Sequence, residues 1–260
     1  MKKEYDIIIS LISPNPYSRP QSKMFGIKGI AIHWVGNANS KAINNRNYFE
    51  NLKNQTATPK RYASSHEIIG LDGEVVICLP KNEVGFHVGA KSYKPRVKTL
   101  LANSPNRYLY GIETCHPDWS GKFNDKTYRT LINRVADLLI EFDLKPSKDT
   151  LWRHFDVTGK DCPKYYIDNP KEWDKLVADI IKRYDEKINP KKEVIKMGSV
   201  FKDVDDNSWG FPYIKAAKEL GIIDGVGDGN FNPKGLLTRE QSAVLMVRLY
   251  EKITGKKVVK

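Results

Sequence analysis

Two residues eight positions apart, His154 and Cys162, limit what this chain can fold into more than any other pair. They lie in the run Arg153-His154-Phe155-Asp156-Val157-Thr158-Gly159-Lys160-Asp161-Cys162-Pro163. Gly159 lets this segment curl back on itself, so a single loop can turn an imidazole and a thiol toward one point. A second imidazole, His33, stands far upstream in the apolar, strand-like Ile30-Ala31-Ile32-His33-Trp34. Together the three side chains are ligands of the kind zinc prefers. Three protein ligands leave the fourth tetrahedral position open, as in a catalytic rather than a structural zinc site. A fold that joins them is expected to be a metal hydrolase.

The rest of the pattern describes a domain able to do this. Residues 27–35 read as a buried strand between Gly26 and Gly36. Residues 65–79 read as a hairpin, with Ile68-Ile69 and Val75-Val76-Ile77 flanking Asp72-Gly73. Residues 108–115 form another strand. Residues 124–143 carry Leu131, Val135, Leu138 and Phe142 on one helical face. Residues 170–186 begin a further helix with Pro170 in the first turn and carry Trp173, Leu176 and Ile180. The expected fold class is α/β, a mixed central β-sheet flanked by helices, over residues 1–187. A charged stretch, 188–198, reads as a linker. Residues 199–260 are expected to form a small all-α helical hairpin. Its first helix would use Trp209, Tyr213, Ala217 and Leu220 as one stripe and end at Gly221. Its second, behind a Thr238/Gln241 capping box, would use Ala243, Met246, Val247 and Tyr250.

Composition narrows the function classes. A net charge of +12 and a pI near 9.4 favour polyanionic partners. Nothing resembles an arginine-rich helix, a zinc finger or an RNA-binding signature, so nucleic acid is not expected. Three cysteines, Cys78, Cys115 and Cys162, make no disulfide framework, and the first two sit in apolar runs as core residues do. The first twelve residues carry Glu4 and Asp6 in a short apolar run with no small-residue cleavage site, so no signal peptide is expected. No stretch is long enough to cross a bilayer, and membrane insertion is not expected.

The motifs together carry a resemblance. Gly29-Ile30-Ala31-Ile32-His33-Trp34, Ser64-Ser65-His66-Glu67-Ile68-Ile69-Gly70-Leu71-Asp72-Gly73, His87-Val88-Gly89, Gly111-Ile112-Glu113-Thr114-Cys115 and the His154–Cys162 loop follow one another in order over roughly residues 20–187. This stretch resembles the zinc-dependent N-acetylmuramoyl-L-alanine amidases shared by phage endolysins, bacterial autolysins and peptidoglycan recognition proteins. The resemblance implies Zn2+ on His33, His154 and Cys162. It also implies Glu113 as the proton-transferring acid and base and Lys160 as the cation beside the developing oxyanion. It further implies substrate contacts from Trp34, Ser65 and His87. Ser65 stands where some members carry a tyrosine.

The C-terminal segment resembles a surface-layer homology module in Phe201, Asp203, Val204, Trp209, Ile214, Gly221-Ile222-Ile223, Gly225, Gly229, Phe231, Pro233 and Thr238-Arg239-Glu240. Such modules bind secondary cell-wall polysaccharide, and the implied contacts are Trp209 and Arg239. They usually occur in threes and this chain has one, so association of copies through it is expected. The whole reads as a peptidoglycan amidase, with a phage or prophage endolysin of a Gram-positive host foremost. Such an enzyme would be made in the host cytoplasm and released to the wall by a holin. A bacterial autolysin and a non-catalytic peptidoglycan-binding protein are the alternatives.

Overall fold

The computed structural model describes residues 4–189 and 200–259. These fall into two compact units, one on each side of the gap. The stretch read as a linker lies outside the described residues from 190 to 198. Its first residue, Ile188, instead closes a helix.

The first unit is built on a six-stranded sheet. Its strands are β1 (Ile7–Ile9), β2 (Gly29–Trp34), β3 (Glu67–Ile69), β4 (Val75–Ile77), β5 (Leu109–Thr114) and β6 (Leu151–Arg153), in the order β1-β4-β3-β5-β2-β6. Only β3 and β4 pair antiparallel, through the hairpin at Asp72-Gly73; all other neighbours are parallel. Around the sheet lie α1 (Ala42–Asn51), α2 (Pro95–Leu101), α3 (Asp125–Glu141), α4 (His154–Thr158), α5 (Lys164–Asp168) and α6 (Pro170–Ile188). The mixed α/β architecture expected from the motifs is the one found. Strand β1, in the short apolar run that follows Asp6, is an exposed edge strand paired with β4.

Strand periodicity decides which face does what. Ile30 and Ile32 of β2 and Tyr110 and Ile112 of β5 turn to one face, where they pack with Leu131 and Val135 of α3 and Leu176 and Ile180 of α6. Asn124 caps α3, accepting the backbone N–H of Thr127, and so sets where that apolar stripe starts. The alternate residues Ala31 and Leu109 face the other way, onto Val97 and Leu101 of α2 and Val157 of α4. In this parallel register Ala31 lies opposite Gly111, and His33 opposite Glu113. His33 and Glu113 therefore share the second face, near the carboxyl ends of adjacent parallel strands. That is where open α/β sheets place their ligands.

The second unit contains α7 (Phe211–Glu219) and α8 (Arg239–Thr254). The Thr238/Gln241 capping box forms as expected, with the Thr238 hydroxyl accepting from Gln241 N. The two expected stripes do not form the core. Trp209 precedes α7 and is 88% exposed, and Tyr213 and Leu220 are exposed too. The buried face is Phe211 with Ile214, packed on Phe201, Val204, Ile223 and Phe231. Helix α8 buries no residue among those described, and Met246 and Tyr250 of its expected face are exposed. The reason is where apolar mass is available. Phe201 and Val204 before α7, and Phe231 in the loop after it, choose the face of α7 they can reach.

Candidate metal centre

Three elements converge on the second face of the sheet. β2 delivers His33. β6 runs directly into α4, whose first residue is His154. The side chain of Asp156 accepts the Arg153 N–H at 3.0 Å and holds the start of that short helix. At its end Gly159 takes a φ of 86°, open to glycine at little cost, and turns the chain back. Phe155 N then donates to the Cys162 carbonyl at 2.9 Å, closing the loop and bringing the thiol inward.

The ligand atoms of His33, His154 and Cys162 all lie within 4.8 Å of one another. All three residues are buried. Sγ of Cys162 is 3.6 Å from Nδ1 of His33, and the rings of His33 and His154 meet edge to face at 4.9 Å. Nδ1 of His154 is buried with no hydrogen-bond partner, as is Oε2 of Glu113. A buried orphan of this kind is rare and asks for a ligand. Burial, and then the neighbouring His154 and His87, hold the His33 imidazole well below its usual range; burial and the charge of Lys160 bring His154 down to about 3. Both rings are therefore neutral near pH 7, the form that ligates metal. Burial, reinforced by Glu113, pushes the Cys162 thiol up, against a weaker opposing pull from the backbone of Trp34 and the charge of Lys160. A neutral-imidazole pair, a buried thiol and two orphaned polar atoms fit a divalent metal of the zinc type.

Glu113 lies beside His33, half-buried. Burial raises its carboxyl to about 8, against the opposing charge of Lys160. Lys160 itself is exposed on the loop that carries Cys162. Trp34 is partly exposed and stacks on His116 with centroids 4.6 Å apart. Gly121, at φ +75°, clears space for it, since a Cβ there would come within 2.7 Å of the Trp34 ring.

Two expected substrate contacts are corrected by their burial. Ser65 is fully enclosed, and its hydroxyl donates to the Glu67 carbonyl at 3.0 Å. His87 is also buried and has both ring nitrogens engaged inside the protein. Neither offers a free polar atom to a substrate. In the second unit Trp209 and Arg239 are both exposed, Trp209 beside Tyr213 with ring centroids 6.4 Å apart and Arg239 in the first turn of α8.

Sequence reasoning missed the support behind the site. His116 holds Trp34 from below, with Nε2 2.7 Å from the Val35 carbonyl oxygen and Nδ1 2.6 Å from that of Asp118. Glu67 is buried against Arg134 of α3, whose Nε donates to it at 2.8 Å, and the Tyr110 hydroxyl donates to it at 2.7 Å. Tyr110 in turn stacks on His66. The available signal was a charged residue inside each of two apolar patterns: Glu67 next to Ile68-Ile69, and Arg134 within the stripe of α3.

Residues 22–165 match the family model of N-acetylmuramoyl-L-alanine amidases, and residues 200–243 match that of the S-layer homology domain. A probable N-acetylmuramoyl-L-alanine amidase of Bacillus licheniformis is 32% identical over 161 residues, which is 62% of this chain and 43% of that protein. The N-acetylmuramoyl-L-alanine amidase CwlL of the same species is 29% identical over 166 residues, 64% of this chain and 44% of that one. The chain thus spans less than half the length of these curated relatives. Among solved structures, a mutant endolysin from Bacillus subtilis superposes with a TM-score of 0.52 at 26% identity, covering 68% of this chain and 99% of that one.

Proposed function

The chain belongs to the N-acetylmuramoyl-L-alanine amidase family, and from that premise we propose that it cleaves the amide between N-acetylmuramic acid and L-alanine in peptidoglycan, using zinc held by His33, His154 and Cys162. The observation that carries this reading is the buried His33–His154–Cys162 cluster with the unpartnered Nδ1 of His154 and Oε2 of Glu113 at its edge. Zinc in such a site supplies Lewis acidity. The rest of the chemistry falls to the chain. Glu113, in its ionised form, takes a proton from the attacking water as it adds to the lactyl carbonyl carbon, and the burial that raises its carboxyl to about 8 favours its holding that proton. It then returns that proton to the alanine nitrogen as the C–N bond breaks, leaving a carboxylic acid and a free amine. The Lys160 ammonium stands ready to offset negative charge on the carbonyl oxygen. Trp34 offers an apolar face to the substrate. Ser65 and His87 are assigned to the supporting interior.

In this reading residues 1–187 catalyse and residues 199–260 hold the enzyme to secondary cell-wall polysaccharide, through Trp209 and the Arg239 fork. The exposed apolar residues of α8, among them Val244, Met246, Leu249 and Ile253, supply the surface through which copies associate, so that avidity replaces tandem modules. A phage or prophage endolysin released by a holin remains the origin we favour over a bacterial autolysin. The endolysin from Bacillus subtilis among its structural relatives supports that choice.

Mass spectrometry of digested walls tests the bond. New alanine amino termini without new reducing sugars are expected, and the reverse would overturn the reading. Chelation should abolish release and added zinc should restore it; full activity in a metal-free preparation would remove zinc from the account.

A further inference from the structure

His87 is only 6% exposed, and both its ring nitrogens are spoken for. Nε2 lies 3.0 Å from the Leu109 carbonyl oxygen, and Nδ1 lies 3.0 Å from Nε2 of His33. A carbonyl only accepts, so Nε2 of His87 carries the hydrogen. In the neutral ring Nδ1 is then a bare acceptor, and Nε2 of His33 must carry a hydrogen to meet it. A neutral His33 with its hydrogen on Nε2 keeps its lone pair on Nδ1. That is the atom that faces Sγ of Cys162. Two hydrogen bonds starting from one strand carbonyl therefore settle which nitrogen of His33 is free.

We propose that His87 is a positioning residue: through its bond to Nε2 of His33 it fixes the tautomer and ring plane with which His33 presents Nδ1 to the metal. This rests on the zinc reading above and extends it to a residue that touches neither metal nor substrate. Outer partners of ligating histidines act in this way in general, by orienting the ring and raising its basicity.

The seat of His87 is built for the purpose. Gly111 lies opposite Ala31 in the sheet, and a Cβ on it would fall 2.6 Å from Cγ of His87. The imidazole thus occupies the space a side chain at 111 would take. The N–H of Gly111 donates to Nδ1 of His66 at 2.9 Å, and Nε2 of His66 donates to the Glu83 carbonyl at 2.9 Å. Asn106 Oδ1 accepts from the backbone of His87 at 3.2 Å and of Val88 at 2.9 Å, which anchors the segment that carries the ring. Burial keeps His33, His66 and His87 neutral, so the donor and acceptor assignment holds around neutral pH.

Long-range proton–nitrogen correlation of the metal-free full-length protein reads the tautomers directly. The hydrogen is expected on Nε2 of both His33 and His87, and a hydrogen on Nδ1 of His33 would overturn the proposal. Zinc affinity by competition with a chromophoric chelator, and the absorption spectrum of the cobalt-loaded protein, read the consequence. His87→Leu fills the space but cannot accept, and should weaken zinc binding by about 10- to 100-fold with an altered cobalt spectrum. His87→Asn places an amide oxygen near the position of Nδ1 and should recover most of the affinity. Gly111→Ala should displace the ring and resemble His87→Leu. Wild-type affinity and spectrum in His87→Leu, or equal weakening in the Leu and Asn variants, would reduce His87 to packing. A wild-type protein that binds no zinc would instead overturn the metal reading itself, and this inference with it.

Discussion

The first unit buries most of its proposed working groups, and the second displays them. His33, His154 and Cys162 sit in the interior, held by a strand register, a capped helix start and a glycine turn. Behind them stand further buried polar residues with their own partners. Trp209 and Arg239 lie on an exposed surface, over a core of Phe201, Val204 and Phe211 with a few half-buried neighbours. The difference follows from the tasks proposed for them. Groups that bind a metal and move a proton must be placed to fractions of an ångström, which only dense surroundings can do. Groups that grip a repeating polymer gain by repetition, and a simple scaffold suffices to display them.

If that contrast is sound, one-atom changes in the first unit should cost far more than whole side chains removed from the surface of the second. The largest effect is expected at Glu113. Glu113→Gln keeps the shape and removes the proton carrier, and should lower turnover on muropeptides by about 10²- to 10⁴-fold while zinc content stays normal. Near-normal turnover with zinc bound would move the proton transfer elsewhere and break the contrast at its strongest point.

Next comes the buried pair behind the site. Glu67→Gln leaves the Arg134 guanidinium enclosed without its counter-charge, at a cost of about 3–5 kcal/mol. Calorimetry should show the transition of the first unit falling by several degrees and that of the second unmoved. The ion pairs of Asp224 with Arg248 and Lys218 in the second unit are exposed, and Asp224→Asn should move its transition little.

Acid should separate the two units as well. All five histidines lie in the first. Burial lowers His66 to about 4 and His154 to about 3, and holds His33 and His87 well down. The unfolded chain takes up protons near 6.5 and the folded one resists, so this stability is complete above about 6.5 and is lost as pH falls toward 4. Glu113 works in the opposite sense: raised to about 8, it holds a proton the unfolded chain has lost, and stability falls as pH rises from 4.5 toward 8. Below 6.5 the four histidines outweigh it; above, Glu113→Gln should flatten the decline. The shifted carboxyls of the second unit, Asp203, Asp224 and Glu251, are all lowered, so that unit should hold steady until the ordinary carboxylate range. Metal-free melting scans between pH 7 and 5 check this, and parallel decline of both transitions would erase the distinction.

The smallest effect on stability is expected at Trp209. Trp209→Ala should leave the second unit within about 0.5 kcal/mol of wild type and yet weaken sedimentation with purified walls. A large loss of stability would show that its ring supports the unit as well as facing outward.

Legibility tracked the same divide. The loop that carries His154 and Cys162, the hairpin and the two long helices of the first unit were readable because each pattern has a short-range physical cause. Asp72-Gly73 makes a turn, Leu131 and Val135 make a face, and the His154–Cys162 spacing makes a loop. The apolar stripes of the second unit were misread because helical periodicity says which residues share a face without saying what covers it. Trp209 and Tyr213 form an apolar pair that remains in solvent, while Phe211 goes inside because Phe201 and Phe231 are there to receive it.

By itself, then, the sequence determined the types of the main elements of the first unit and which side chains, His33, His154, Cys162 and Glu113, were candidates for the proposed chemistry. Only the tertiary structure decided that Ser65 and His87 turn inward, that Gly111 makes room for an imidazole, and that Glu67 meets Arg134 from 67 positions away. The physical reason is range. Turn and helix preferences act over a few residues and are written locally, whereas burial, tautomer and charge pairing depend on neighbours that only the packed sheet brings together.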